Sequence, residues 1–488
     1  MRWRAWHGYA LLAVLVLPLL FICVRATHDW GDDFAQYIVQ ARDLSHDGVI
    51  MPDRAVLNWP AHGPAPKGVG FSVLLVPLQV KFGSQVAPYL MLNVIVVMLI
   101  AVFLFMHLRA AHAPVVALIG ALLFVYDRHV LQACTEIMPD PLLTLCVVLI
   151  MVILQQPGQQ RWWWAVAVAV FAVLLKSAGW LLWVVLCAEL VRSCWKRDAQ
   201  RPSMPVVFCG VFLPLAVGVV VPMLLSRSMA ASGFWYADLL DIDALAHRMS
   251  TNALIYARQV VHYFEQELPM WMNRLLVPVV LAAALAGFIR RVAQRFRGIE
   301  LLVVLWVLML LVYPDTNSAA RFMLPMVPIA LVYLIEGSAW VAEQMKLPRI
   351  AVPVLLGAFL LAHALSVRWF AQHDGTAAMG PYAPASQEAF EAVKRIVPSD
   401  ARIASTRPWA VHLFTGRTSM WALSPTDPGR PVAHLADVQP QFMLVASSPF
   451  EAGMYDAGLV PHVLADTRWI EVWSNDRFTL FQRRTTQQ

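Results

Sequence analysis

The sequence predicts a polytopic α-helical membrane protein with a small soluble α/β domain at its C-terminal end. Of its 488 residues, 59% are hydrophobic and only 14% are charged, whereas a soluble domain carries about 25% charged residues. The mean hydropathy is +0.61. Because the cores of soluble domains cannot hide this much apolar surface, a soluble enzyme, a disordered chain and a nucleic-acid-binding protein are all poor matches.

Apolar runs of roughly 15 to 23 residues predict about eleven transmembrane helices. They lie at about 8–26, 86–108, 114–131, 138–154, 162–176, 178–193, 204–225, 270–289, 299–313, 322–338 and 350–370. The two runs that meet at Lys176 are either two short spans or one long, tilted span. The first run is interpreted as an uncleaved anchor, and a signal peptide cleaved near Ala26 is the alternative.

Lys and Arg concentrate in one alternating set of short connections, which includes Arg109, Arg161 and Arg290. Such connections usually lie on the cytoplasmic side of the plasma (inner) membrane. With eleven spans, the N-terminus is then cytoplasmic and the C-terminus is outside. The net charge of +6 is therefore interpreted as an orientation signal, and we expect membrane lipids but no nucleic acid as partners.

The predicted transmembrane domain covers 1–370, with two long outer loops at about 27–85 and 226–269, and the extracytoplasmic α/β domain covers 371–488. In the first loop, an apolar stretch at 71–82 is interrupted by Pro77 and predicts an interfacial helix. In the second, a mixed helix is expected through Tyr256 and Phe264. In the tail, Ser386 is expected to cap a helix. Strands are predicted at 402–406, 442–447, 469–473 and 478–481, the last two as a hairpin.

Two adjacent carboxylates, Asp32 and Asp33, open a predicted amphipathic helix just after the first span. One interpretation is helix capping, with an Asp at the N-cap and another in the first turn, where negative charge favours the helix dipole. The other is that one of them is a general base at the membrane surface. The two interpretations are compatible, because one residue can cap while its neighbour does chemistry.

The segment Gly31-Asp32-Asp33, followed by Tyr37, Ala41-Arg42 and Leu44, resembles the GT-C superfamily of membrane glycosyltransferases. The most similar group is the protein O-mannosyltransferase and aminoarabinose-transferase type, whose usual pair is Asp-Glu. Further segments resemble motifs of that group in the same order. They are Pro66-Lys67-Gly68-Val69-Gly70-Phe71, in which Gly68-Val69 replaces a diproline, Thr135-Glu136-Ile137-Met138-Pro139, Arg321-Phe322-Met323-Leu324-Pro325 and Thr415-Gly416-Arg417.

This resemblance implies a GT-C-like fold and transfer of a sugar from a polyprenyl-phosphate carrier to a hydroxyl acceptor, with inversion at the anomeric carbon. In that scheme Asp32 is the expected base, and Asp33 is the alternative. Arg321 is expected to bind the donor phosphate, because a guanidinium can hold two phosphate oxygens. The alternative is an Arg that extends to the headgroups.

Lys67 and Lys176 are the other expected phosphate-binding residues. Alternatively, Lys67 is a solvated loop residue, and Lys176 marks the outer interface of the membrane. Glu136 could orient the acceptor, ligate a metal, support the Asp pair or form an ion pair with Arg128. The outer histidines fit no metal-ligand spacing, so a divalent metal stays open and no cofactor is predicted. They are His28, His46, His62 and His129.

The acceptor is expected to be a hydroxyl of a glycan, lipid or protein. A transporter or flippase of a lipid-linked substrate is one alternative function. Transporters often carry paired repeats with broken helices, which this sequence does not show. A non-catalytic assembly protein with the same fold is the other alternative.

Overall fold

A computed structural model describes residues 5–51, 56–57, 68–195, 201–225, 242–261, 270–313, 319–348, 350–372, 379–422, 435, 439–447, 454, 456 and 459–484. The helices of the apolar part are α1 (Ala5–Val16), α2 (Leu19–Cys23), α3 (Asp32–Asp47), α4 (Val69–Phe82), α5 (Ala87–Arg109), α6 (Pro114–Val125), α7 (Arg128–Cys134), α8 (Asp140–Ile153), α9 (Gln160–Leu175), α10 (Gly179–Trp195), α11 (Met204–Leu225), α12 (Ile242–Val261), α13 (Met270–Gln294), α14 (Gly298–Val312), α15 (Ala319–Met323), α16 (Val327–Gln344) and α17 (Ala351–Gln372).

A helix lies in each of the eleven predicted apolar segments, and the chain is a multi-pass membrane protein. Among the described residues, five helices are long and apolar enough to cross a membrane alone, and a sixth span results if α6 and α7, which meet at 57°, are counted together. The other apolar helices are shorter, so the number of spans stays a prediction. At Lys176 the chain forms two helices, α9 and α10, rather than one long helix.

Close backbone contacts hold several of these helices together. A Cβ on Gly68 would clash with the carbonyl oxygen of Leu175, so α4 packs directly on the end of α9. Likewise, a Cβ on Gly337 would clash with the carbonyl oxygen of Ala283, where α16 crosses α13. Small residues permit such approaches between membrane helices. Gly68 therefore has a packing reason, and its contact brings the start of α4 beside Leu175, the residue before Lys176.

The two long loops contain helices where the sequence predicted them. The stretch at 71–82 lies within α4, although its interfacial location stays a prediction. The mixed helix of the second loop is α12 (Ile242–Val261). Residues 226–241 and Phe264, which also belong to that prediction, lie outside the described residues.

The C-terminal domain is a six-stranded mixed sheet with helices packed against it. Its strands are β1 (Val56–Leu57), β2 (Arg402–Ser405), β3 (Thr418–Trp421), β4 (Phe442–Ala446), β5 (Trp469–Ser474) and β6 (Phe478–Arg483), and its helices are α18 (Pro384–Ile396), α19 (Pro408–Thr415) and α20 (Leu459–Ala465). The order is β1-β3-β2-β4-β6-β5. The first four strands in this order are parallel, and β6 is antiparallel to β4 and β5.

All four predicted strands are present, and the predicted hairpin joins β5 to β6. Its turn is held by Asn475, whose side chain accepts hydrogen bonds from the backbone N–H groups of Arg477 (3.0 Å) and Phe478 (2.8 Å). The predicted helix cap is wrong. Ser386 lies inside α18 and donates to the carbonyl of Gly380 at 2.9 Å, because Pro384 at the first turn sets the start of the helix earlier.

Strand β1 comes from the first long loop and not from the tail. Val56 pairs with Ser419, and Leu57 pairs with Met420. The C-terminal domain also contacts the region around α3, through Arg42, which donates to His412 at 2.6 Å, and through Trp30, whose ring meets that of Phe390 at 6.0 Å. The first loop and the C-terminal domain therefore pack together on one side of the helical part.

Candidate functional site

The helix that carries the acid pair, α3, begins at Asp32. Its N-cap is Gly31, without a side-chain cap, so the prediction of an Asp at the N-cap is wrong. Instead, Asp29 accepts the N–H of Gly31 at 2.9 Å. Asp32 and Asp33 both occupy the first turn, where carboxylates favour the helix dipole. The side chain of Asp32 and all of Lys67 lie outside the described residues.

Arg321 lies between two carboxylates from different helices. A terminal nitrogen of its guanidinium is 2.8 Å from Asp33 Oδ2, and its Nε is 3.4 Å from Asp140 Oδ2. The side chains of Arg321 and Asp33 keep 21% and 27% of their surface exposed. Arg321 therefore contacts Asp33 of the acid pair instead of extending away from it, and both side chains remain partly exposed to solvent.

Asp140 was not predicted as a site residue, and it is the most buried charge of the site. Its side chain is 1% exposed, and its Oδ1 lies 2.6 Å from Lys176 Nζ. One carboxylate thus contacts two cations, Lys176 from the break between α9 and α10 and Arg321 from α15. A buried carboxylate is costly unless it is paired, and here Lys176 and Arg321 supply the pairing. The signal in the sequence was an Asp inside an apolar run, which is rare in membrane helices unless it is functional.

We call Asp33, Asp140, Lys176 and Arg321 the site cluster. Lys176 was expected either at the phosphate or as a marker of the interface, and it belongs to this cluster. It lies at the break between α9 and α10, where the chain is extended. Phe322 forms an apolar wall, with its ring 4.6 Å from Lys176 Nζ and 5.9 Å from the Arg321 guanidinium carbon.

Trp306 and Tyr313 hold the short helix α15, which carries Arg321, in place. The indole N–H of Trp306 donates to the carbonyl of Phe322 at 3.0 Å, and the ring of Tyr313 meets that of Phe322 edge-on at 4.8 Å. Pro325 follows in a single turn of 3₁₀-helix at Leu324–Met326. These contacts hold the start of the apolar helix in one position, so the guanidinium is presented from a rigid support.

Glu136 lies in the loop between α7 and α8 and is partly buried. Its Oε1 accepts a hydrogen bond from the side-chain amide of Gln132 at 3.0 Å. Burial and the charge of Asp29 raise the pKa of Glu136 to about 7, against the opposing effects of Arg321 and His28. A carboxyl group that titrates near neutral pH is suited to proton transfer.

The same loop is held by a buried histidine. His28 is 2% exposed, and its Nε2 accepts the backbone N–H of Ile137 at 3.1 Å. Its Nδ1 lies 2.9 Å from Asp29 Oδ1. Burial lowers the pKa of His28, but the hydrogen bond and charge of Asp29 outweigh it and raise the pKa. The hydrogen bond from Ile137 to Nε2 opposes this rise, because only the neutral ring has a lone pair on Nε2 to accept it.

The pairing with His28 also lowers the pKa of Asp29. Burial alone would raise the pKa of Asp29, but the His28 hydrogen bond lowers it to about 2. Its carboxylate therefore stays ionised near the start of α3. Sequence reasoning considered His28 only as a potential metal ligand. Within the residues that the structure covers, no group of three or more His, Cys, Asp or Glu is arranged to hold a metal ion.

The motif Thr415-Gly416-Arg417 has a structural role. Gly416 adopts a left-handed conformation at φ 70° and ends α19. The side chain of Arg417 then donates to the carbonyls of Lys394 (2.8 Å) and Val397 (2.9 Å) at the end of α18. Cations are favourable at the C-terminal ends of helices, so this turn stabilises the soluble domain.

The fold is that of the GT-C membrane glycosyltransferases, as the motifs predicted. In particular, it is similar to ArnT from Cupriavidus metallidurans in the apo state, with a TM-score of 0.53 and 13% identity over 98% of both chains. The structure of that ArnT bound to undecaprenyl phosphate gives 0.52 and 15% over 99% of both chains.

A second fold relative is the archaeal oligosaccharyltransferase AglB from Archaeoglobus fulgidus, in complex with an inhibitory peptide and a dolichol-phosphate. Its TM-score is 0.54 at 11% identity, over 90% of this chain and 69% of that chain. No protein-family model matches the chain, and no curated protein matches it. At these identities the likeness shows the fold, and the function has to be argued from the site.

Proposed function

We propose that the protein is an inverting glycosyltransferase that moves a sugar from a polyprenyl-phosphate carrier to a hydroxyl acceptor on the outer face of the membrane. The observation that carries this proposal is the site cluster, in which a solvent-accessible Arg321 and a nearby Lys176 flank the buried Asp140. Its support is a fold shared with an ArnT that was solved with undecaprenyl phosphate and an AglB that was solved with a dolichol-phosphate.

The cations are assigned to the donor phosphate. A leaving phosphate gains negative charge in the transition state, and fixed cations stabilise that charge. The guanidinium of Arg321 is paired with Asp33, and both side chains are partly exposed. An incoming phosphate would therefore compete with Asp33 for this guanidinium. Asp140 stays beneath both cations and keeps them in place when the phosphate leaves. Lys67, which precedes the packed Gly68, is proposed as a third cation.

The base is assigned to Asp32, with Asp33 as the alternative. The acceptor oxygen attacks the anomeric carbon while the bond from that carbon to the phosphate oxygen breaks. The bonding electrons leave with the polyprenyl phosphate, and the acceptor proton passes to the carboxylate. A single displacement of this kind inverts the anomeric carbon. The ion pair of Asp33 with Arg321 favours a supporting role for Asp33, which leaves the base role to Asp32.

Glu136 is assigned to the acceptor side. Its partly buried carboxyl group, with a pKa of about 7, can accept a hydrogen bond from an acceptor hydroxyl when it is ionised and donate one when it is protonated. The acceptor class is a hydroxyl of a glycan, a lipid or a protein. This scheme does not require a divalent metal ion bound by these carboxylates.

The decisive experiment follows a radiolabelled polyprenyl-phosphate sugar with the purified protein and a hydroxyl acceptor. We expect release of free carrier phosphate and labelled acceptor, with most transfer lost in Arg321→Ala and little retained in Arg321→Lys, because a point charge does not reproduce the planar guanidinium fork. Arg468→Ala, on the exposed surface of the C-terminal domain, is the control. Carrier binding or translocation without turnover would indicate a flippase or an assembly protein instead.

The compartment is a separate part of the proposal: 27–85 and 371–488 share the outer side. The pairing of β1 with β3 supports a common side for the two regions. Single cysteines at His46 and Ser399, both exposed, should be labelled by an impermeant reagent in intact cells. Labelling of one position but not the other would refute the shared compartment, and labelling of neither before lysis would reverse the orientation.

A further inference from the structure

His28 connects the two segments that carry the proposed catalytic carboxylates, although it belongs to neither. It follows the first span directly, and its ring stacks on Phe34 with the ring centres 4.1 Å apart. Phe34 lies in the first turn of α3, next to Asp33. The stacking therefore fixes the imidazole against the helix that presents the acid pair.

On its other side the ring contacts the loop of Glu136. The backbone N–H of Ile137, the residue after Glu136, donates to His28 Nε2 at 3.1 Å. A buried backbone N–H needs a partner, and His28 supplies it from 109 positions away in the sequence. Asn93, which is fully buried, holds the same loop by donating to the carbonyls of Glu136 (2.5 Å) and Met138 (3.4 Å).

The orientation of the ring is fixed by a carboxylate. Because Nε2 accepts a hydrogen bond, the neutral ring carries its hydrogen on Nδ1, which lies 2.9 Å from Asp29 Oδ1 and 3.1 Å from the carbonyl oxygen of Asp29. Asp29 Oδ1 also accepts the N–H of Gly31, the N-cap of α3. A continuous chain of hydrogen bonds thus runs from the start of α3 through Asp29 and His28 to the loop that holds Glu136.

We propose that His28 is a positioning residue, which sets the separation between the carboxylates of α3 and Glu136 through its hydrogen bond to Ile137. This inference rests on the proposed function, because its consequence is the geometry in which the acceptor hydroxyl meets its base. Within the described residues, His28 contacts neither Lys176 nor Arg321, the two cations assigned to the donor phosphate. Its loss should therefore affect the chemical step and not the affinity for the donor.

Three substitutions of His28 distinguish the hydrogen bond to Ile137 from the size and the polarity of the side chain. In His28→Gln, the side-chain oxygen reaches the position of Nε2 and can accept the Ile137 N–H. In His28→Asn, the amide reaches only the position of Nδ1. His28→Phe keeps the stacking on Phe34 and removes both hydrogen bonds. His107→Phe is the matched control, since His107 is also buried and lies near the far end of α5.

We expect His28→Asn and His28→Phe to lose about 10- to 100-fold in kcat with the donor KM within about twofold of wild type. His28→Gln should stay within about threefold, and His107→Phe should keep full kcat at equal membrane yield. If all three His28 variants transferred sugar like wild type, the inference would be overturned while the proposed function stood.

A second measurement is independent of activity. Amide hydrogen exchange at Ile137 should accelerate about tenfold in His28→Asn and His28→Phe and stay slow in His28→Gln. Should wild-type protein transfer no sugar at all, the proposed function fails, and this exchange pattern still decides whether His28 holds the loop. Equal protection of Ile137 in all variants would contradict the positioning role.

Discussion

Two clusters of buried charge lie toward opposite ends of the same helices, and they differ in how completely their hydrogen bonds are satisfied. The site cluster lies beside the start of α10 and includes Arg321 of the short helix α15. The other, here the far cluster, comprises Glu189, Arg192, Arg291, Glu300 and Glu336. Arg192 lies about 20 Å farther along α10, at 1.5 Å per residue.

In the far cluster, both oxygens of the two most buried carboxylates have donors. Glu189 accepts from Arg192 (2.6 Å) and from the N–H of Gly298 (2.5 Å). Glu300 accepts from the N–H of Arg297 (2.9 Å) and from the hydroxyl of Tyr333 (3.3 Å). Two of these four donors are backbone N–H groups at the start of α14. Within the described part of the chain, no buried side-chain atom of the far cluster lacks a hydrogen-bond partner, so this cluster is interpreted as structural.

In the site cluster, hydrogen-bonding capacity remains. Asp140 Oδ2 and Arg321 Nε face each other at 3.4 Å, and within the described part of the chain neither atom has a hydrogen-bond partner. A buried polar atom without a partner is costly in a protein interior, and a catalytic role is one of the explanations for such an atom. Under the proposed function, the charges of the far cluster stabilise the fold, and the charges of the site cluster serve the transfer.

The largest expected effect concerns the base. Asp32→Asn should lower transfer by about 100- to 10,000-fold, the usual loss when a general base is removed, while membrane yield stays normal. Asp33→Asn should be milder, because Asp33 supports Arg321. Rates for both variants, normalised to inserted protein, check this. A nearly normal Asp32→Asn beside an inactive Asp33→Asn would reverse the two roles.

The next prediction sets the two clusters against each other. Glu300→Gln should lower the free energy of unfolding by about 3 kcal/mol, as expected when one partner of a buried ion pair is removed. It should leave the transfer rate per folded molecule unchanged. Asp140→Asn should lower that rate by about tenfold or more, because it frees Lys176 and Arg321 to move. Thermal unfolding in detergent and rate measurements on the same samples test this, and equal rate losses would remove the distinction.

A smaller effect should appear in the pH dependence of stability. The pKa of Glu136 is about 7 in the folded protein, above the ordinary value of about 4.3. The stability that goes with its protonated form is fully present below the ordinary pKa and is lost as the pH rises through about 7. The Tm of wild type relative to Glu136→Gln should therefore fall between about pH 4 and pH 7. Glu391→Gln, at an exposed position, is the control, and a constant difference for Glu136→Gln would refute the raised pKa.

The sequence predicted those features that depend on local pattern. Apolar runs located the helices, and alternation with turn residues located strands β2, β4, β5 and β6. Arg321 and Lys176 stood out because cations are rare beside apolar runs. Two local predictions failed, by one residue at the cap of α3 and by three residues at the cap of α18, where Gly31 and Pro384 set the helix starts.

Features that depend on distant contacts were missed. Strand β1 has only two residues and is defined by its pairing with β3, more than 360 positions later. His28 finds its partner at Ile137, and nothing in the spacing of its neighbours indicates this. Asp140 was counted as part of an apolar span, because hydropathy averages over one charged residue. Its contacts with Lys176 and Arg321 depend on the packing of α8 against the end of α9 and against α15, which the sequence does not show.

The central claim is that the site cluster binds the phosphate of a lipid carrier, and the affinity of the protein for polyprenyl phosphate tests it most directly. Arg321→Ala and Arg192→Ala each remove a guanidinium from beside a buried carboxylate, so they disturb the fold in comparable ways. We expect Arg321→Ala to raise the Kd about 10- to 100-fold, as the loss of a charge-assisted hydrogen bond predicts. Arg192→Ala should leave the Kd unchanged. An unchanged Kd in Arg321→Ala, or equal losses in both variants, would contradict the account.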